Sequence, residues 1–209
     1  MKFILFVEGE LEQRALPLFL KNWLDTRLSQ PVGIKSVLFD GCAELVKSAP
    51  KKAIMYLNGP DKSDIIAVIA LLDLYCPAIH YPADKPTVSE RYVWAKEYFE
   101  GQINHSRFRQ FFAVHETEAW LLSNPSLFPS EIQRVLLGKS QHPEKINFDN
   151  PPAKLLSRLY EEKLRRTYKK TTNGATLFSK LDPDLAYGKC PHLKQMLDEM
   201  LKLAKAEGL

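Results

Sequence analysis

Cysteine is scarce in this sequence: Cys42, Cys76 and Cys190 are all it has, odd in number and far apart. They form neither a C-x-x-C pair nor a zinc-ligand spacing, which points to a reducing cytoplasm. A glycine-rich phosphate loop is missing too. "FDGCAEL" and "LNGPDKSD" lack the Walker spacing, so ATP hydrolysis by this chain alone is not expected. Neither G-x-S-x-G nor a reactive-cysteine signature occurs, which argues against a serine or cysteine nucleophile. No apolar run approaches the roughly 18–20 residues of a membrane span. The apolar start of "MKFILFVEGE" is too short for a signal peptide and ends in acid. A soluble cytoplasmic protein is the expectation. Internal repeats and low-complexity tracts are absent, and the excess charge is small, +4 from 29 basic and 25 acidic residues. That balance is compatible with a nucleic-acid partner without requiring one.

What the chain does have is enough apolar residue, 45% of 209, to build a sizeable core. "KFILFV" is apolar at nearly every position, the pattern of a strand covered on both faces. Leu16, Phe19, Leu20, Trp23 and Leu24 then recur at helical spacing, predicting a helix from about Glu10 to Leu28 with Pro17 inside it. "GIKSVLFD" reads as a second strand, and "CAELVKSAP" as a short helix ended by Pro50. Residues 65–72 are a continuous apolar strand closed by Asp73. A helix follows, with Ser89 or Thr87 as its cap. "RFRQFFAVHETEAWLLSNP" is strand then helix, switching near His115. Alternating strands and helices without hairpin turns imply a parallel sheet over residues 1–125. After Pro125 every remaining segment reads helical, punctuated at "SQHPEKINFDNPP" and "TTNGA". Residues 126–209 are expected to form a helical lid or subdomain packed on the first unit.

Active sites of open α/β sheets gather at the carboxyl ends of strands. Three acidic features fall there: Glu8 with Glu12, then Asp73, then Glu116 with Glu118. Converging carboxylates repel one another unless a cation neutralises them, and oxygen-only ligation suits Mg²⁺ or Mn²⁺. Glu8 and Glu12, four apart, would face one way on a helical turn, leaving Glu10 in solvent. A plainer account stands beside this one: acids in a helix's first turn are favoured by the macrodipole, and Asp73 could cap a turn.

Other features divide similarly. His115 is either a site residue or a packed histidine. Cys190 and His192 in "KCPHL" lack the further ligands a zinc site needs. Trp120 reads as core. "KLLSRLYEEKLRRTYKK" carries Lys154, Arg158, Lys163, Arg165, Arg166, Lys169 and Lys170 with Tyr160 and Tyr168 among them. Such a helix either follows a phosphate backbone, with tyrosines stacking on bases, or is a solvated face paired through Glu161 and Glu162.

"FVEGELEQRALPLFL", "ALLDLYCP", "FFAVHETEAWLLSNP", "YKKTTNGATLFSKLD" and "KCPHLKQML" together resemble the bacterial domain-of-unknown-function family 4276, which is grouped with Toprim-like domains. The likeness is scattered from residue 3 to about 200. It implies a Toprim-like fold, a small parallel sheet flanked by helices, whose acids bind Mg²⁺ to cut or join nucleic-acid backbones. Glu8 matches the Toprim glutamate, Glu12 the second acid of the V-E-G-x-x-E pattern of OLD-type nucleases, and Asp73 the first aspartate of D-x-D. The departure is Tyr75, where the second aspartate would stand, unless Glu116 or Glu118 replaces it. Relatives of this kind are similar to proteins encoded beside ATPases in phage defence or mobile elements, which implies a partner ATPase.

Two functions follow. In the first, a Mg²⁺- or Mn²⁺-dependent nuclease, Glu8, Asp73 and Glu116 or Glu118 hold the ion and Glu12 assists. A carboxylate or His115 orients water, and the basic residues around 154–170 hold nucleic acid. In the second, a non-catalytic module of the same fold docks on an ATPase or on nucleic acid.

Overall fold

Along β1 (Lys2–Val7), Phe3, Leu5 and Val7 alternate with Ile4 and Phe6, and all five are wholly buried. A strand apolar on both faces needs a helical layer on each side. The structure, a computed structural model that describes residues 1–145 and 150–209, supplies both. Four parallel strands run in the order β2 (Gly33–Leu38), β1, β3 (Ile65–Asp73), β4 (Phe108–Ala113). Phe3, Leu5, Val7, Ile69, Leu71 and Phe111 face α1 (Glu10–Asp25) and the helices of the C-terminal half. Ile4, Phe6, Val68, Ala70, Leu72 and Phe112 face α2 (Gly41–Asn58) and α3 (Val88–Ile103). The fold is therefore the expected α/β class, a small parallel sheet flanked by helices.

The predicted elements differ from the observed ones mostly at prolines. α1 ends at Asp25, short of Leu28, and carries Pro17 within its length. Pro50 does not end α2, which continues to Asn58. An internal proline costs a helix roughly 3 kcal/mol. Leu45, Ala49, Ala53 and Leu57 nevertheless form one buried stripe of four-residue spacing against the sheet, and that packing outweighs the missing backbone bond. Of the two caps expected for α3 it is Thr87, not Ser89, that serves: its hydroxyl accepts from Glu90 N while the Glu90 carboxylate accepts from Thr87 N, a complete capping box.

The outer edge of β4 is closed by side chains. Lys96 Nζ donates to the Gln110 carbonyl at 3.0 Å, and Gln110 N donates to Glu100 Oε1 at 3.0 Å. Charged groups on an edge strand block pairing with another chain.

Beyond β4 the described residues contain helices and turns but no strand: α4 (Glu118–Leu122), α5 (Ser130–Leu136), α6 (Pro152–Leu164), α7 (Ala175–Phe178), α8 (Pro183–Lys189) and α9 (Pro191–Ala206). Of the loop expected at 140–152, residues 146–149 lie outside the described residues. Trp120 is core, its ring 6.0 Å from that of Phe19 and edge-on to Phe178. Leu193, Met196, Leu197 and Met200 of α9 join the apolar layer that β1 and α1 share, so residues on both sides of position 125 pack together. Among the described residues no helix is long and apolar enough to cross a membrane. Cys42 and Cys76, which their spacing gave no reason to pair, form a disulfide that ties the start of α2 to the segment after β3; Cys190 is buried and unpaired.

Candidate functional site

The strand order β2-β1-β3-β4 places a switch point between β1 and β3, where successive connections leave in opposite directions. Crevices at the carboxyl ends of such strands are where open α/β sheets bind ligands. Glu8 follows the last residue of β1, and Asp73 is the last residue of β3. They meet across the gap: Asp73 N donates to Glu8 Oε1 at 3.3 Å.

Glu12, in the first turn of α1, points inward and is 3% exposed, whereas Glu10 is exposed and pairs with Arg14. Thr117 Oγ1, itself buried, donates to Glu12 Oε1 at 2.8 Å. Gly9 makes room for this arrangement, because a Cβ there would lie 2.5 Å from Glu12 Oε2. The glycine between the two glutamates therefore has a steric reason. Neither Thr117 nor Gly9 was singled out from the sequence, though Gly9 within "VEGELE" was the available signal.

Glu118, at the start of α4, is wholly buried, and among the described residues its carboxylate oxygens receive no hydrogen bond. Their neighbour is Lys170, whose Nζ lies 3.2 Å from Glu118 Oε2 and 3.6 Å from Glu12 Oε1. Lys170 opens a π-helical turn, Lys170–Gly174, that leads into α7. Gly174 lets this turn approach α1, since a Cβ there would meet Leu11 Cδ1 at 3.1 Å.

Electrostatics register the crowding. Burial raises the pKa of Asp73 against the pull of Lys170, with Glu8, Glu12 and Glu118 adding to the rise. Burial likewise raises Glu8, opposed by its bond to Asp73, and lifts Glu118 to about 7. For Lys170, burial disfavours the charge, but Asp73, Glu118, Glu12 and Glu116 outweigh it and hold the ammonium above its ordinary pKa. Glu116 turns partly away: its Oε2 accepts from Ala153 N at 2.8 Å, at the first turn of α6.

A family described as Domain of unknown function (DUF4276) matches residues 7–201. This chain belongs to that family. None of the curated proteins matches it. Among solved structures, the C-terminal region of the Burkholderia pseudomallei OLD protein is similar over 98% of both chains, at 16% identity and a TM-score of 0.49. The C-terminal region of the Xanthomonas campestris pv. campestris OLD protein is similar over 100% of this chain and 98% of its own, at 16% identity and a TM-score of 0.47.

As they stand, no three His, Cys, Asp or Glu among the described residues are grouped closely enough to hold a metal ion. The donors nonetheless suit a hard divalent cation: all are carboxylate oxygens, and those of Glu118 are buried against the Lys170 ammonium. The central position now belongs to Lys170.

The other candidates separate. His115 is buried with its ring 4.9 Å from that of Tyr75, and burial together with His192 lowers its pKa to about 4. Lys154, Arg158, Lys163, Arg165, Arg166 and Lys169 are exposed, but they do not share one helix. α6 stops at Leu164, and Arg165 adopts a left-handed conformation, φ 54°, that ends it. Tyr160 and Tyr168 are buried with ring centroids 5.2 Å apart, so neither is presented to an incoming base. Lys170 parts from the basic set by turning into the acids.

Proposed function

We propose that this chain is a Toprim-like domain that hydrolyses nucleic-acid phosphodiester bonds with Mg²⁺ or Mn²⁺ and works beside a separate ATPase. The observation that carries this reading is the gathering of Glu8, Glu12, Asp73 and Glu118 around one ammonium at the switch point of a parallel sheet. Glu8 and Asp73 would hold the ion with Glu118, and with Glu116 if it releases Ala153. When bound, the ion supplies neutralising charge and Lewis-acid polarisation of the phosphodiester.

The chain's own residues would do the rest. Thr117 fixes the Glu12 carboxylate. Lys170, displaced from the acids when the ion enters, would offer its positive charge to a phosphoryl oxygen on which negative charge builds. His115, next to Glu116 in the chain, is the imidazole that would orient the attacking water. The exposed Lys154, Arg158, Arg165, Arg166 and Lys169 would follow the phosphate backbone. A partner ATPase suits a chain without a phosphate loop, in the phage-defence or mobile-element setting that the resemblance implies.

Tyr75, in place of a second D-x-D aspartate, and Lys170, at the centre of the acids, favour a second reading: a non-catalytic module that docks on an ATPase or nucleic acid. Labelled single- and double-stranded DNA and RNA, incubated with Mg²⁺ or Mn²⁺ and with wild type, Glu8→Gln or Asp73→Asn, separate the two. Metal-dependent cleavage that both variants lose supports the nuclease. Cleavage that survives in both, or none on any substrate, sinks it.

A further inference from the structure

A cavity of about 360 Å³ opens at the carboxyl end of β4, beside the first turns of α3 and α9. None of the carboxylates that meet Lys170 lines it. Its volume falls within the range of small-ligand sites, roughly 300–1,000 Å³. His115, His192 and Val114 form walls, while Ser89, His142, Lys145 and Pro191 stand exposed at the rim.

Its chemistry disfavours an anion inside. The amides at the start of α9 are already taken, His192 N and Leu193 N donating to the Glu144 carboxylate at 2.9 and 3.2 Å. At the start of α3 the capping box occupies the amides of Thr87 and Glu90. Glu144 itself is in the lining, where a phosphate would meet like charge whenever that carboxyl is ionised.

A flat, neutral heterocycle meets the opposite conditions. The His192 ring is held 4.3 Å from that of Tyr92, and the His115 ring 4.9 Å from that of Tyr75. Burial lowers the pKa of His192. A neutral imidazole offers one donor and one acceptor, the pairing a base edge requires. Val114 and Pro191 supply apolar surface for the ring faces.

We propose that this cavity receives an unpaired nucleobase of the substrate strand, next to the phosphodiester bound at the carboxylates. The inference extends the nucleic-acid reading and rests on it for the identity of the strand, but the cavity can be tested without cleavage. Free adenosine, guanosine, cytidine and uridine, which carry no phosphate, are titrated into the full chain without metal and followed by NMR. At least one nucleoside binds saturably to wild type and equally to Glu8→Gln. Ser89→Trp, placed at the exposed rim to fill the mouth, weakens binding about tenfold or more, on the scale of one lost base stack. Ser89→Ala controls for the loss of the hydroxyl and binds as wild type does.

Absence of binding at millimolar nucleoside, or binding unmoved by Ser89→Trp in a folded protein, overturns the proposal. Oligonucleotide cleavage without nucleoside binding keeps the nuclease and discards the pocket. Nucleoside binding without cleavage does the reverse.

Discussion

Lys170 pairs with Glu118 at 3.2 Å, its ammonium serving a carboxylate that has no solvent exposure and, among the described residues, no hydrogen bond. Glu12, 3% exposed, shares the same ammonium. Lys170→Met strips both acids of this charge. Breaking a fully buried pair costs about 3–5 kcal/mol. Because the lysine side chain is 39% exposed, the expected loss is smaller, about 2–3 kcal/mol, read by urea denaturation. The same variant should bind Mg²⁺ more tightly than wild type by calorimetry, since the cation then meets acids with no resident positive charge. Equal or weaker binding would show that Lys170 and the ion do not compete.

Gly9→Ala should act through Glu12. Its Cβ would fall 2.5 Å from Glu12 Oε2, forcing the carboxylate away from Thr117 and Lys170. The atom met is the free end of a side chain that can rotate, so a stability loss of about 1 kcal/mol or less is expected, with weakened metal binding. Unchanged values on both counts would mean that Glu12 relocates at no cost.

Glu144 gives the fold a pH signature away from the acidic cluster. Burial raises its pKa from 4.5 to about 7, although two amide bonds favour the charged form. The folded state therefore holds this proton more tightly than the unfolded chain does. The stability it contributes is complete below pH 4.5 and is lost as pH rises towards 7. Across that window the contribution is on the order of 2–3 kcal/mol. Denaturation curves of wild type and Glu144→Gln should diverge by that amount between pH 4.5 and 7. Parallel curves would place the ordinary carboxyl pKa at this site.

The disulfide closes a loop with a sequence separation of 34 residues, and chain entropy assigns such a link about 3–4 kcal/mol. Cys76 N also donates to the Asp73 carbonyl at 3.0 Å. Reductant, or a Cys42→Ser/Cys76→Ser double variant, should lower stability by about that amount. Amide exchange should quicken in the segment after Asp73. If only stability changes and exchange stays slow, the link braces α2 alone.

The parts of this molecule legible from sequence were those whose cause is local. β1 and β3 announce themselves as continuous apolar runs, and Glu8 and Asp73 mark where those runs stop. The Thr87 capping box was readable because its partners are three residues apart. Lys170 was not, since it sits in a stretch of like charges and reaches its acids through a π-helical turn and long-range packing. Local composition gave Tyr160 and Tyr168 to the surface, yet the apolar layer under α6 took them. Pro50 misled for the same reason: a helix-breaking propensity was overridden by a stripe of contacts with the sheet.

The closure of β4 by Lys96 and Glu100 has a consequence for assembly. With the carbonyl and amide of Gln110 engaged by side chains, a strand from another molecule would have to displace two charged groups to join there. A strand joining beside β2, the other edge of the sheet, would meet neither of these two groups. Any complex built by strand addition would be one-sided, with the newcomer lying beside Gly33–Leu38 and the helix pair α3 and α9 left facing away from it.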